Sequence, residues 1–349
     1  MRIQGVVQMK EKIKNENKTH GAKSLEWEPH LHFFVTFLIS FALFTALIVF
    51  LLPPTDDPDL IPEILRYAGI TAIEVLIITF IQSVIDTFSS DNGGDIPKSF
   101  ITSARSFGFK KQGKFTDGAR DFLLILFCAI IPLDLLTYAI PGILGFISST
   151  DIGLFFKKFS LPLFFILGPV YNLITGVKEE FVFRGYLISN LKREGKNYAA
   201  WLISALYFGF MHVNYSYFEI SILGPVIWFT TATLIGLLFG GYIIARGKLL
   251  VLIFAHGIGN FISSFSIYSY HEAGGLSGAS LSGFLMIYYL PMLILGGILA
   301  LVFRKQIGQG WNKLKELVNE GKDSASMKEG AIIIVMVAIL VLSSLFLYI

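Results

Sequence analysis

Glu179-Glu180-Phe181-Val182-Phe183-Arg184 lies inside residues 160–190, a run that is otherwise apolar. Three ionisable side chains within two helical turns of an oily segment decide how the whole chain is read. In hydrocarbon such groups are costly, so they face a bundle interior and mark a functional site by default. The run is longer than the ~20 residues of one straight crossing. A long, tilted or broken helix is therefore expected, with Gly168-Pro169 as the place for a break. Glu180 and Arg184 are four residues apart, share a helix face and can form an ion pair.

Composition agrees with a membrane reading. Hydrophobic residues make up 54% and charged residues 15%, with a mean hydropathy of +0.66, which places the chain among multi-span membrane proteins. The net charge of +3 is too small to indicate a nucleic-acid partner. The single cysteine, Cys128, excludes an intramolecular disulfide framework and a Cys-rich metal site. Other runs of crossing length lie at 33–52, 67–86, 121–147, 198–213, 222–245, 249–268, 283–303 and 330–349.

Loop charge orients these runs. The tail, the 87–120 loop, the 191–197 and 245–248 turns and residues 304–329 are basic, whereas 53–65, 214–221 and 269–282 contain no Lys or Arg. Lys157 and Lys158 are the exception. Nine spans with a cytoplasmic N-terminus satisfy the positive-inside rule, and the last, 330–349, reads equally as a late addition to an eight-helix core. Residues 306–320, with Trp311, Leu314 and Leu317 among Lys313, Lys315 and Glu316, read as a short amphipathic helix on the cytoplasmic surface. The expected fold is an all-α integral membrane protein, a bundle of about eight to nine transmembrane helices around a polar intramembrane cavity. Its parts are a cytoplasmic tail (1–32), an N-terminal membrane region with a cytoplasmic loop (33–119), a core (120–303), an amphipathic segment (304–329) and a last helix (330–349).

Two further polar patterns interrupt the oily runs: Phe208-Gly209-Phe210-Met211-His212 and His256-Gly257-Ile258-Gly259-Asn260. At a rise of about 1.5 Å per residue, Glu179 and Glu180 lie about 18–20 Å from the basic turn at Lys192. His212 lies about 22 Å from Asn197, and His256 and Asn260 lie about 12–18 Å from Lys248. With Arg184 about 12 Å from Lys192, all six polar side chains reach similar depth. His256 and Asn260 share a face, Gly257 and Gly259 thin that helix so that a neighbour or a substrate backbone can approach, and Phe208 can shield His212 from lipid.

Such a set supports hydrolysis of an amide. A carboxylate in an apolar cavity is a strong base for water, Arg184 can keep one of the two glutamates ionised, and His256 with Asn260 can donate to a developing oxyanion. Read singly, each pattern also fits a structural role: an ion pair at a helix end, an interfacial histidine, or an interhelical hydrogen-bond pair. Glu74 and Asp134, also intramembrane, read best as structural hydrogen-bonding groups. A transporter or scaffold using the same residues as an ion relay is the competing class.

Together the motifs resemble the CPBP (Abi) family of intramembrane proteases, which includes the type II CAAX prenyl endopeptidases and bacteriocin-processing or immunity proteins. Glu179, Glu180 and Arg184, then Phe208 and His212, then His256 and Asn260 match the family pattern in order, and the similarity covers about residues 120–303. The resemblance implies a core open to cytosol and bilayer that cleaves membrane-anchored substrates, prenylated CAAX-type chains among them. In it Glu179 and His212 would activate water, His256 and Asn260 would form the oxyanion site, and Glu180 and Arg184 would orient substrate and the first glutamate. No cofactor is expected. The alternative is zinc held by Glu179, His212 and His256, against which a cationic Arg184 beside the glutamates would act. The lipid bilayer and a membrane-anchored peptide or protein are the implied partners, and a multi-pass place in the cell membrane is the implied location.

Overall fold

The computed structural model describes residues 60–88, 96–108, 114–136, 140, 161–193, 197–212, 223–272 and 285–324. The tail 1–32 and the expected spans 33–52 and 330–349 lie outside the described residues, and 121–147 lies within them only in part. Among the described residues every regular element is a helix. The helices are α1 (Leu60–Phe88), α2 (Ile96–Ser106) and α3 (Phe115–Ile125), the last continuing through a π turn (Leu126–Ile130) into Ile131–Asp134. Next come α4 (Leu161–Glu180), continued by a π turn (Phe181–Leu187) and Ile188–Arg193, then α5 (Asn197–Met211) and α6 (Leu223–Arg246). They are followed by α7 (Leu249–Glu272), α8 (Leu290–Val302, entered through a π turn at Leu285–Tyr289) and α9 (Arg304–Ser324).

Five described helices are long and apolar enough to cross a membrane: Ile64–Thr87, Leu161–Asn190, Leu223–Arg246, Leu249–Ser266 and Leu285–Val302. They coincide with five of the expected runs. The run 198–213 forms α5, whose 15 residues fall short of a full straight crossing. The segment 87–120, read from sequence as a loop, contains α2.

No break occurs at Gly168-Pro169. Pro169 sits inside α4, which runs on to Glu180. The reason is local: a proline ring clashes with the Cβ of the preceding residue when that residue is helical, and Gly168 has none. The irregularity falls instead directly after the glutamate pair. There the Ile188 N–H reaches back five residues to the Phe183 carbonyl, and Ser204 Oγ of α5 donates to the same oxygen at 2.9 Å. Single π turns of this kind recur at functional sites.

Small residues set the helix spacing, as in membrane bundles generally. A Cβ on Gly176 of α4 would lie 2.7 Å from the Ile253 carbonyl of α7, and one on Gly257 would lie 2.8 Å from Leu173 Cα. The two backbones therefore touch one turn before the glutamates. Gly236 of α6 meets Ala205 of α5 in the same way, at 2.8 Å. Polar ties complete the frame. Asp134 of α3 accepts from Ser263 of α7 and, at 2.7 Å, from Tyr289, the structural role read for it in sequence. Asp121 accepts from Arg120 at 2.8 Å and from Tyr242 and Lys248 at 3.1 Å, joining α3 to α6 and to the turn before α7.

Candidate active site

Because α4 and α7 cross backbone to backbone at Gly176 and Gly257, the side chains one turn further along α4 come to face His256. Glu180 is fully buried, and its Oε1 accepts from Arg184 Nη1 at 2.9 Å and from His256 Nδ1 at 2.7 Å. The first bond is the expected i,i+4 pair. The second ties α4 to α7.

Arg184 is held largely by rings. Its guanidinium carbon lies 4.2 Å from the Phe208 ring centroid, 5.3 Å from that of Phe239 and 5.7 Å from that of Phe183. A desolvated cation gains from such aromatic faces. Its Nε and Nη2 are buried without a hydrogen-bond partner among the described residues.

Glu179 has the opposite environment. Its side chain is 23% exposed where Glu180 is at 0%, so of the two only Glu179 can meet water or substrate. Its Oε2 stands 3.6 Å from His256 Nε2 and 3.8 Å from His212 Nε2, each beyond hydrogen-bond length. His212 follows the last turn of α5. Its ring packs on Phe208 with centroids 4.3 Å apart, and its Nδ1 lies 2.7 Å from the Phe208 carbonyl.

These contacts fix both imidazoles. A carbonyl oxygen only accepts, so Nδ1 of His212 carries a proton, and the same holds for Nδ1 of His256 against the Glu180 carboxylate. Orienting a ring through one nitrogen leaves the other to act. In both rings the other nitrogen is Nε2, and both Nε2 atoms are turned to Glu179.

The structure thus brings together Glu179, Glu180, Arg184, His212 and His256, with Phe208 against both histidines and the arginine. Asn260 lies one turn beyond His256, partly exposed; its side-chain amide makes no hydrogen bond among the described residues, and its carbonyl accepts from Ser264 Oγ at 2.7 Å. Gly257 and Gly259, read as room for a neighbour or a substrate, are occupied by neighbours, Leu173 and Ile130. Glu180 also contacts His256, beside the role of orienting substrate and the first glutamate that the resemblance implied.

A second polar group adjoins the first and is only partly visible in sequence. Tyr67 of α1 stacks on Tyr171 at 5.1 Å, shares a 3.3 Å hydrogen bond with Thr175, and lies 5.6 Å below the ammonium of Lys178. Lys178 precedes Glu179, and this position in the motif was the one signal available.

Zinc through Glu179, His212 and His256 is the alternative to metal-free chemistry. Arg184 binds Glu180, so its repulsion of a dication at Glu179 is weaker than the sequence implied. Among the described residues, however, no group of three or more His, Cys, Asp or Glu is arranged to hold a metal ion.

Residues 161–262 match the family model of Rce1-like type II CAAX prenyl endopeptidases. That stretch carries all seven motif residues and is narrower than the 120–303 expected from the resemblance. No curated protein and no solved structure matches the chain. Over that stretch, 102 of the 349 residues, the chain is similar to this family, in keeping with the CPBP resemblance, and its membrane-length helices point to a membrane protein.

Proposed function

We propose that the chain is an intramembrane endopeptidase in which Glu179 and His212 activate water and His256 and Asn260 stabilise the oxyanion. The observation that carries this is the convergence of two Nε2 atoms, each fixed through its own Nδ1, on Oε2 of Glu179, a buried oxygen without a hydrogen-bond partner among the described residues on a side chain that is 23% exposed.

Water between Glu179 and His212 donates to both and loses its proton to the carboxylate as its oxygen bonds to the scissile carbonyl carbon. Negative charge then moves from Glu179 to the carbonyl oxygen, a few ångströms away. Asn260 and His256 Nε2 meet it there as donors. Because Nδ1 of His256 already donates to Glu180, an Nε2–H requires the imidazolium form. That form also sets a second positive charge, beside that of Arg184, against Glu179 and Glu180. When the tetrahedral intermediate collapses, the C–N bond breaks and the leaving amine takes the proton held by Glu179. Fixed donors and shifted rather than created charge are what a low-dielectric site rewards. No step needs a metal ion.

The bundle of eight to nine spans around a polar cavity, the cytoplasmic N-terminus and a membrane-anchored, CAAX-type substrate belong to the same proposal. Liposomes holding the full chain, offered a fluorogenic farnesylated CAAX peptide, test it. Cleavage that disappears in Glu179→Gln and survives a strong chelator is expected. Loss on chelation with recovery on adding zinc would overturn the metal-free chemistry, and pH-coupled ion flux that persists in Glu179→Asp would favour the relay.

A further inference from the structure

Helix α9 presents two different faces. One is docked: Leu317 is buried, Leu314 packs at Gly241 of α6, and Glu320 accepts from the backbone N–H of Asn197 at 3.0 Å and from its side-chain amide at 3.4 Å. Asn197 opens α5, so Glu320 places a carboxylate where the first turn of α5 has unpaired N–H groups and a positive end.

The other face is open. Ile307 is 41%, Trp311 60% and Val318 37% exposed. At about 100° per residue these three fall within about 40° of arc, and Arg304 and Lys315 fall within about 40° beyond them. Lys315 Nζ lies 5.9 Å from the Trp311 ring. Glu316 lies about 160° from the centre of the stripe, paired with Lys313 at 2.6 Å. The apolar stripe is therefore edged on one side by cations, while Glu316 is turned away from it and Glu320 is spent on α5.

Position names what covers this face. α9 starts two residues after the membrane-length α8 ends at Val302, with Gln306 and Ile307 N–H both bonded to the Phe303 carbonyl at 3.0 and 3.1 Å. Its docked face meets α5 at its first residue and α6 at Gly241, one to two turns before Arg246. The helix thus lies at the level where the spans leave the hydrocarbon. A tryptophan beside lysine and arginine on an apolar stripe suits the lipid–water boundary.

We propose that α9 lies in the membrane interface, with Ile307, Trp311 and Val318 in the acyl boundary and Arg304 and Lys315 against anionic headgroups. Leu314, Leu317 and Glu320 meanwhile strap it to α5 and α6. The site it steadies is the far end of α5, where His212 faces Glu179.

The test uses the full chain with Cys128→Ala, in which single cysteines at Ile307, Val318 and Glu316 are spin-labelled in turn. The proteins are reconstituted in phosphatidylcholine vesicles with or without phosphatidylglycerol, and collision with oxygen and with a neutral nickel chelate is measured. Expected are high oxygen and low nickel access at Ile307→Cys and Val318→Cys, the reverse at Glu316→Cys, and deeper labels with phosphatidylglycerol than without. The added depth is expected to vanish in Arg304→Gln/Lys315→Gln. Nickel access at Ile307→Cys and Val318→Cys equal to that at Glu316→Cys would overturn the proposal. So would shielding from both reagents, which would mean a protein segment or a second copy covers the stripe. Equal depth in both lipids would overturn the headgroup contact. None of these readouts depends on peptidase activity.

Discussion

Replacing Glu179 and replacing Glu180 by glutamine, though the residues are adjacent, is expected to give opposite phenotypes. Glu179 makes no bond of hydrogen-bond length to its histidines, so Glu179→Gln should keep its thermal unfolding temperature while losing cleavage by about 10²–10⁴-fold, the worth of a positioned general base. Glu180→Gln leaves the buried Arg184 without its counter-charge and weakens the hold on His256. A destabilisation of about 3–5 kcal/mol is expected for such an orphaned buried charge, measured by unfolding in detergent. A Glu180→Gln protein as stable as wild type would show that the aromatic faces around Arg184 suffice alone. Both glutamates were legible as a site from their place in an oily run. Their division of labour was not, because it depends on which carboxylate meets α7.

At the scale of elements, the α4–α7 crossing is what builds the site. Gly176→Ala would drive a methyl to 2.7 Å from the Ile253 carbonyl, forcing the helices apart at a cost of about 1–3 kcal/mol. Cleavage should fall with it, because the His256–Glu180 bond sits one turn away. Gly69→Ala is the control: nothing lies within 4 Å of its Cβ position, so stability and activity should hold. Equal loss in both would point to a general effect of alanine in these helices. The helical runs were readable in sequence, and so was Gly257 as room for a neighbour, whereas Gly176 did not stand out there. That these two glycines face one another was not readable, since nothing local says which helix a glycine admits. The π turn after Glu180 escaped prediction for a related reason: Pro169, the local signal for a break, lies in continuous helix, whereas at the turn a second donor, Ser204 of α5, reaches the Phe183 carbonyl.

For the whole molecule, hydrolysis of a farnesylated peptide by reconstituted protein, undiminished by chelation, is the expected outcome, read as fluorescence release against Glu179→Gln. The sequence by itself determined that the chain is helical and membrane-embedded, because runs of apolar side chains long enough to cross a bilayer leave the backbone no other way to satisfy its hydrogen bonds. It also marked the candidate residues for chemistry, because charge and imidazole in such runs stand out against hydrocarbon. The tertiary structure alone decided the partners. It gave Arg184 to Glu180 and three rings, it pinned Nδ1 of His256 on Glu180 and Nδ1 of His212 on its own helix, and it left Glu179 facing both Nε2 atoms. It made Asp134 a tie between helices, and it docked one face of α9 while leaving the other open. Helical period fixes the face on which a side chain stands, but which neighbour it meets is set by backbone contacts between residues far apart in the chain, and no local pattern encodes those.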